Sequence, residues 1–169
     1  LSFSGGAQVS PILSFDGVND WVNLGNAGDN IRTFEMWFSP ARDITDATAT
    51  TQTLIARETS GDNDREEFDL YFWNGTGNLQ FLYREDVSPY TPHVIQSNSN
   101  SWTANQWYHV AVVMHPTNGI TMFIDGVLQT DNDLTWTGST IAIPGTMADD
   151  YTALGRWGDF AGRYFEGRM

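Results

Sequence analysis

The sequence predicts an all-β sandwich. Over 169 residues, no segment keeps a helical period, and short aromatic or β-branched runs recur instead. Turn residues such as Asp-Gly and Asn-Gly separate these runs at intervals that are typical of two-sheet sandwiches. The length is sufficient for one complete core. We therefore expect a single domain that spans residues 1–169.

The clearest strand signals lie between Gln106 and Thr130. The run Trp107–Met114 has strand length, and its apolar residues occupy both alternating faces. Asn118-Gly119 and Asp125-Gly126 follow, and such pairs suit two-residue hairpin loops because both central positions need positive φ. The pattern predicts a three-stranded meander that is buried on both faces inside a two-layer structure.

Shorter runs with period-two alternation predict the remaining strands. In Glu67–Trp73, large apolar residues alternate with Asp69, Tyr71 and Trp73, which predicts an amphipathic strand with an aromatic second face. The other predicted strands are Pro11–Asp16, Asp20–Leu24, Thr33–Ser39, Thr53–Arg57, Leu79–Arg84, His93–Ser97, Thr152–Leu154 and a short strand near Ile141.

Large aromatic residues within the predicted strands are expected to fill the core, because such side chains dominate sandwich interiors. His109 lies on an apolar strand face, and we expect it to be a hydrogen-bonded core histidine. The aromatic residues predicted to be core are Trp21, Phe34, Trp37, Phe38 and Trp107.

The charge composition excludes several classes of partner. The formal net charge is -13, and all 8 basic residues are arginine. This excess of carboxylates repels phosphate backbones and anionic lipids, so we expect neither nucleic-acid binding nor association with a membrane surface. No apolar run approaches membrane-spanning length, and the chain has no cysteine for disulfides or thiolate sites.

Four groups of segments form an ordered set along the chain: Leu13–Gly17 with Asp20–Val22, Thr33–Phe38, Trp107–Ala111 with Met122–Val127, and Leu154-Gly155 with Phe165–Gly167. In this order they resemble the laminin-G-like domains of the concanavalin A-like lectin superfamily. The resemblance implies a jelly roll of two antiparallel sheets, one concave and one convex.

In such domains a further acidic and aromatic strand usually follows the Phe-Glu-Gly segment and closes one sheet. In this chain Phe165–Gly167 is followed only by Arg168 and Met169. The resemblance therefore implies that the closing C-terminal strand is lacking. We expect the chain to be a fragment or a split part of a larger protein, with other domains of the same polypeptide as partners.

The segment Gly61–Glu67 concentrates carboxylate and amide oxygens, the ligands that calcium prefers, but it lacks EF-hand spacing. The longer segment Leu54–Trp73 also resembles the part of pentraxins where an Asp-Asn pair before an aromatic strand binds calcium. The resemblance implies Asp62, Asn63 and Asp159 as metal ligands, with Asp64 as a neighbour. Arg156-Trp157-Gly158 replaces further oxygen donors of pentraxins, and a solvated acidic loop remains the alternative. Further acidic candidates are Asp16, Asp20, Asp131, Asp133, Asp149 and Asp150.

Four aromatic residues are candidates for ligand binding. Tyr90, Trp136 and Trp157 lie in predicted loops, and Trp73 lies on the second face of an amphipathic strand. Exposed aromatic rings at such places stack on sugar faces or anchor a peptide. The alternative is that they cover the ends of the sandwich.

Glycoside hydrolases with this fold need a pair of carboxylates on one strand face. Glu67-Phe68-Asp69 begins such a motif, but Tyr71 or Phe72 occupies the position of the remaining carboxylate. The three histidines show no metal-type spacing with carboxylates. We therefore expect no enzymatic activity.

These observations predict a non-catalytic recognition module of a secreted or cell-surface protein, either an adhesin or the accessory domain of an enzyme. It would bind glycan or protein through loops at the rim of the sandwich, with calcium as the cofactor. The alternative is a structural scaffold domain without a ligand in a long multidomain adhesin. An active glycoside hydrolase is the least favoured interpretation. The expected location is extracellular or the cell surface.

Overall fold

The computed structural model describes residues 12–27, 31–59, 66–84, 92–115, 119–130, 150–157 and 162–169. Strands, turns and loops account for all of these residues, and no helix occurs among them. The strands are β1 (Ser14–Asp16), β2 (Val22–Asn23), β3 (Thr33–Pro40), β4 (Gln52–Thr59), β5 (Glu66–Phe72), β6 (Leu79–Arg84), β7 (Pro92–Gln96), β8 (Tyr108–His115), β9 (Gly119–Ile124), β10 (Val127–Leu128), β11 (Asp150–Leu154) and β12 (Glu166–Arg168).

The strands form two six-stranded sheets. The first sheet has the order β1-β12-β3-β8-β9-β10, and the second has the order β2-β11-β4-β5-β6-β7. Neighbouring strands are antiparallel throughout, from β1 with β12 to β8 with β9. The all-β, two-sheet jelly-roll sandwich predicted from the sequence is confirmed. The predicted strand near Ile141 lies outside the described residues.

Aromatic side chains from both sheets join them at one end of the core. The Phe38 ring lies 5.6 Å from Tyr108 and 5.6 Å from Trp102, and Trp102 lies 5.5 Å from Phe72. Trp102 is fully buried, and its indole N–H donates to the carbonyl of Gly77 at 2.8 Å. Trp102 has no strand signal in the sequence, because it stands in a polar segment and pairs only through an isolated bridge with Ile44.

Strand β5 shows the predicted alternation. Phe68, Leu70 and Phe72 are fully buried between the sheets, whereas Asp69 and Tyr71 lie on the opposite face. The ring of Phe34 from β3 packs 5.8 Å from Phe68, so the two sheets meet here through stacked aromatic rings. The inner face of β5 therefore packs in the common core, and its outer face carries polar side chains.

The predicted meander is confirmed as β8, β9 and β10. Asp125 and Gly126 have φ values of 51° and 77°, as a two-residue hairpin turn requires. The prediction that both faces of β8 are buried was wrong. From Tyr108 to Met114 its residues alternate between buried and half-exposed, and the last residue, His115, is exposed, because the second sheet covers the first sheet on one side only. The other predicted turn includes Asn118, which lies outside the described residues.

The three strand tryptophans are not core residues. Trp37 is 57% exposed and Trp21 is 38% exposed, and Trp107 is half-buried. In β3 the inward positions are taken by Phe34, Met36 and Phe38, so the period of two turns Trp37 outward. The prediction was correct for Phe34 and Phe38, and wrong for the tryptophans.

His109 is also not a core residue, which corrects the sequence prediction. It lies opposite Trp37 on the outer face of the first sheet, with the two rings 5.0 Å apart. Its Nε2 atom lies 3.5 Å from a carboxylate oxygen of Glu35. Ala111 and Val113, which share the outward face of β8 with His109, are only half-buried.

The segment after Phe165 forms β12, which lies between β1 and β3. All three residues of β12 pair with β1, but only Gly167 and Arg168 pair with β3, opposite Pro40 and Ser39. The rest of the long strand β3 extends beyond β12. Among the described residues, no helix is long and apolar enough to cross a membrane.

Candidate functional site

The outer face of the second sheet carries a set of polar and aromatic side chains. We call it the outer polar face. It consists of Asp69, Tyr71 and Trp73 from β5 and its end, Gln80 from β6 and Gln96 from β7. These residues alternate with the buried apolar residues of the same strands, so the period of two places them on the side away from the core.

A hydrogen-bonded ladder crosses three strands of this face. The Tyr71 hydroxyl donates to the Gln80 side-chain carbonyl at 3.0 Å, and the Gln80 amide donates to Gln96 Oε1 at 3.1 Å. The strand register places the three residues opposite one another. Tyr71 and Gln80 are buried, whereas Gln96 is half-buried at the accessible end. The ladder therefore fixes the orientation of both amides.

Trp73 borders the ladder. It follows β5 directly, is 41% exposed, and meets Tyr71 edge-on with ring centroids 5.9 Å apart. An indole in this position offers a rigid apolar surface together with one N–H donor. Trp73 and the ladder thus combine a flat ring with amide groups of fixed direction.

Asp69 is a carboxylate that is only 1% exposed. Arg163 Nη1 lies 3.9 Å from Asp69 Oδ2, and the Arg163 side chain is partly exposed. The backbone carbonyl of Arg163 accepts a hydrogen bond from Thr53 N at 2.8 Å, which attaches this segment to β4. The outer polar face therefore has a buried negative group beside an accessible positive one.

Trp157 is connected to this face through Arg163. The Arg163 guanidinium lies 3.8 Å from the centroid of the Trp157 ring, a cation–π contact. Phe165 N donates to Gly155 O at 2.9 Å, which joins the residues before Trp157 to those after Arg163. Trp73 and Trp157, two of the predicted ligand-binding residues, thus both border the outer polar face.

A polar cleft of about 240 Å³ adjoins the same segment. Arg163 lines it, together with Thr50 and Gln52 near the start of β4. Arg42 and Glu166 form an ion pair of 3.2 Å at its edge. Arg163 therefore belongs both to this cleft and to the outer polar face.

The chain matches a known family over nearly its whole length. A family model for laminin-G-type domains, described as the concanavalin A-like lectin/glucanases superfamily, matches residues 16–169. The chain belongs to this superfamily. No curated protein sequence matches it closely enough to count as a relative.

Solved structures share the fold of this concanavalin A-like domain. A native heptameric SAP-like pentraxin from Limulus polyphemus superposes with a TM-score of 0.59 at 16% identity, covering 93% of this chain and 71% of the pentraxin chain. The receptor binding domain of botulinum neurotoxin D superposes with a TM-score of 0.58 at 12% identity, covering 94% of this chain and 38% of the toxin chain. At these identities the likeness concerns the fold.

Most of the predicted metal ligands and loop aromatics lie outside the described residues. These are Asp62, Asn63, Asp64, Asp159, Tyr90 and Trp136, together with the further candidates Asp131, Asp133 and Asp149. In the part of the domain that the structure describes, no three acidic or histidine side chains form a metal-binding group. The register nevertheless brings three acidic positions to one end of the second sheet, where Glu58 lies opposite Glu66 and Asp150 lies opposite Thr59.

Asp16 and Asp20 hold a turn of the backbone. Asp16 Oδ1 accepts hydrogen bonds from the amides of Val18 at 2.8 Å and Asn19 at 3.2 Å, and Asp20 Oδ2 accepts one from Asp16 N at 3.0 Å. The amide of Val18, followed by that of Asn19, lowers the pKa of the Asp16 carboxyl below its ordinary value. Backbone N–H groups thus supply the positive partners of these two carboxylates.

Gln80, Gln96 and Arg163 were not predicted from the sequence. Each glutamine follows an apolar residue in a predicted strand, a pattern that indicates only a solvated strand face. Their shared hydrogen bonds depend on strand register, and the contact of Arg163 with Asp69 joins distant parts of the chain. The signal available in the sequence was the repeated uncharged polar residue on the outer faces of adjacent predicted strands.

Proposed function

We propose that this domain is a non-catalytic recognition module of a secreted or cell-surface protein, and that its outer polar face binds glycan. The observation that carries the proposal is the exposed ring of Trp73 beside the ordered Tyr71–Gln80–Gln96 ladder. A protein ligand at the same face is the alternative. Membership of a lectin-like superfamily and the fold shared with a toxin receptor binding domain agree with a binding role.

The rigidity of this face favours recognition. Gln80 is held from both sides, so its amide loses little conformational freedom when a ligand arrives. Sugar rings offer an apolar face and a rim of hydroxyl groups. The Trp73 indole can cover the apolar face while the half-buried Gln96 amide and the partly exposed Arg163 guanidinium bond to the hydroxyl rim, which is the usual composition of a ligand site.

The same geometry argues against glycoside hydrolysis. Retaining and inverting enzymes both need two carboxyl groups that flank the scissile bond. On the outer face of β5, Asp69 is followed two residues later by Tyr71. The Asp69 carboxylate is also buried beside Arg163 and is poorly accessible to a substrate. We infer a binding function without catalysis.

We propose further that calcium binds at the rim, with Asp62, Asn63, Asp64 and Asp159 as its ligands. Asp62, Asn63 and Asp64 come between β4 and β5 in the sequence, and the register of the second sheet places Glu58, Glu66 and Asp150 at neighbouring positions where these two strands end and begin. The net charge of -13 favours a divalent cation. Several carboxylate and amide oxygens are the donor set that calcium requires.

A glycan array, probed in calcium and again in chelator, tests the function. We expect binding to a restricted set of glycans, and Trp73→Ala should weaken it about tenfold, the loss that accompanies removal of a buried aromatic contact. Trp37→Ala is the matched control, because Trp37 is more exposed but lies on the outer face of the other sheet. No glycan bound in either solution would contradict glycan recognition. Equal losses in both variants would contradict the assigned face.

A further inference from the structure

The turn between β5 and β6 carries an Asn-Gly pair at its tip. Trp73 O accepts hydrogen bonds from Thr76 N at 3.5 Å and from Gly77 N at 3.2 Å, which closes the turn around Asn74 and Gly75. Both residues of the pair are exposed. Gly75 has a φ of 83°, and a Cβ atom there would meet nothing within 4 Å. The pair therefore projects into open space.

The peptide unit between Asn74 and Gly75 is not held in place. In the described part of the chain, hydrogen bonds are made neither by Asn74 O, nor by the Asn74 side chain, nor by Gly75 N. The bonds that close the turn belong to the residues on either side of the pair. Because glycine has no side chain, nothing on Gly75 restricts rotation of this unit or shields its nitrogen.

Comparable side chains elsewhere in the domain are held. Asp16-Gly17 and Asp125-Gly126 are aspartate counterparts of the pair, and in each the Oδ1 atom accepts a backbone hydrogen bond of 2.8 Å. Asn78, at the end of the same turn, donates from Nδ2 to a backbone carbonyl at 2.8 Å. A reaction of these side chains with the backbone would have to break such bonds. Asn74 has no such bond to break.

We propose that Asn74 is a site of spontaneous deamidation, which converts it to aspartate and isoaspartate. Gly75 N attacks the side-chain carbonyl carbon of Asn74, and the new C–N bond closes a five-membered succinimide ring. The bond from that carbon to the side-chain NH₂ breaks, and ammonia leaves with the proton of the Gly75 N–H. Water then opens the ring at either of its two carbonyls. Water is the only co-reactant, and asparagine is among the thermolabile residues.

The reaction would change the accessible edge of the outer polar face. Both products place a carboxylate directly after Trp73, whose ring is 41% exposed. Isoaspartate also routes the backbone through the side-chain carbon, so the turn gains one CH₂ group. The two hydrogen bonds to Trp73 O then lose their geometry, and Trp73 loses part of its support. The reaction itself is independent of what this face binds.

The test is to store the folded chain in mildly alkaline buffer and to map its peptides by mass spectrometry over time. We expect Asn74 to be converted while Asn78 stays intact, with release of ammonia. Isoaspartate is detected by methylation with protein isoaspartyl methyltransferase. Gly75→Ala should slow the conversion by about tenfold or more, because the added methyl group hinders the attacking nitrogen. Asn74→Gln should abolish the isoaspartate signal.

No conversion at Asn74 in the folded chain would overturn the proposal, and its conversion in urea would then show that the turn protects it. Equal rates in the parent chain and in Gly75→Ala would also overturn it.

The variant Asn74→Asp separates the two products, because it carries the carboxylate without the longer backbone. It should melt close to the parent chain, whereas the converted chain should melt about 2–4 °C lower. Equal melting of the converted and parent chains would overturn the expected effect on the turn.

Discussion

At the scale of single residues, alternation in a strand determines which side chains share a face, and the environment then determines their chemistry. Asp16 illustrates how the environment changes the chemistry of a side chain. Its carboxylate lies in the turn after β1 and accepts hydrogen bonds from two backbone amides. These amides favour the charged form, so the pKa of Asp16 is lowered from the ordinary value of 3.8.

The stabilisation from Asp16 should depend on pH. Because the pKa is lower in the folded protein, the contribution is fully present above about pH 4 and is lost as the pH falls through the folded value. Asp16→Ala should lower the melting temperature at pH 7, and the difference from the parent chain should shrink in strong acid. Thermal melts between pH 7 and pH 2 measure it. The exposed Asp46 provides the control variant Asp46→Ala, and a constant difference for Asp16→Ala at every pH would contradict the assignment.

At the scale of elements, the turn between β5 and β6 connects the site to the core. Trp73 lies at the start of this turn, and Gly77 near its end accepts a hydrogen bond from the buried Trp102 indole. Gly75 and Gly77 both have positive φ, 83° and 72°. They differ in packing. A Cβ atom on Gly77 would lie 2.5 Å from Asn100 O, whereas a Cβ atom on Gly75 would meet nothing within 4 Å.

Alanine substitutions at the two glycines therefore separate the energetic cost of backbone strain from the cost of a steric clash. Gly75→Ala should destabilise the domain by about 1 kcal/mol through its left-handed conformation alone. Gly77→Ala should cost about 3 kcal/mol, because the backbone around Asn100 must also move. Urea denaturation of both variants gives the two free energies of unfolding. Similar values would show that Asn100 shifts without cost, and the proposed coupling between this turn and the Trp102 contact would be wrong.

At the scale of the whole molecule, the sandwich is a scaffold for the outer polar face, of which Trp73 and Gln96 are the accessible part. The Asp125-Gly126 turn and the meander that contains it support the first sheet, yet they contribute no side chain to the outer polar face. The acidic surface is the remaining global property. With a formal charge of -13, the chain repels itself, and a bound divalent cation would relieve that repulsion.

Calcium should raise the melting temperature. At a calcium concentration one hundred times the Kd, the stabilisation is about 2.7 kcal/mol, or roughly 5–10 °C for a domain of this size. Magnesium is the control ion, since it demands six short, regular contacts. The double variant Asp62→Asn with Asp159→Asn should lose the shift, and Asp46→Asn should keep it. No calorimetric heat and no shift with calcium would remove the metal from the proposed function while leaving the glycan test intact.

The sequence by itself determined the fold class and the local pattern of β5. Alternation between Phe68, Leu70, Phe72 and their polar neighbours follows from the two-residue period of a strand, which needs no distant partner. The Asp125-Gly126 turn is equally local, because positive φ values are preferences of the turn residues themselves. Trp73 was placed correctly on the second face of its strand for the same reason.

Only the tertiary structure decided which face of β3 and β8 is buried. Both faces of these strands carry large apolar or aromatic residues, so alternation alone could not distinguish Phe38 from Trp37. The choice depends on where the second sheet lies. The burial of Trp102, the amide ladder from Tyr71 to Gln96 and the approach of Arg163 to Asp69 likewise require segments that are distant in sequence. Strand register and sheet packing create these contacts, and neither has a local signature in the chain.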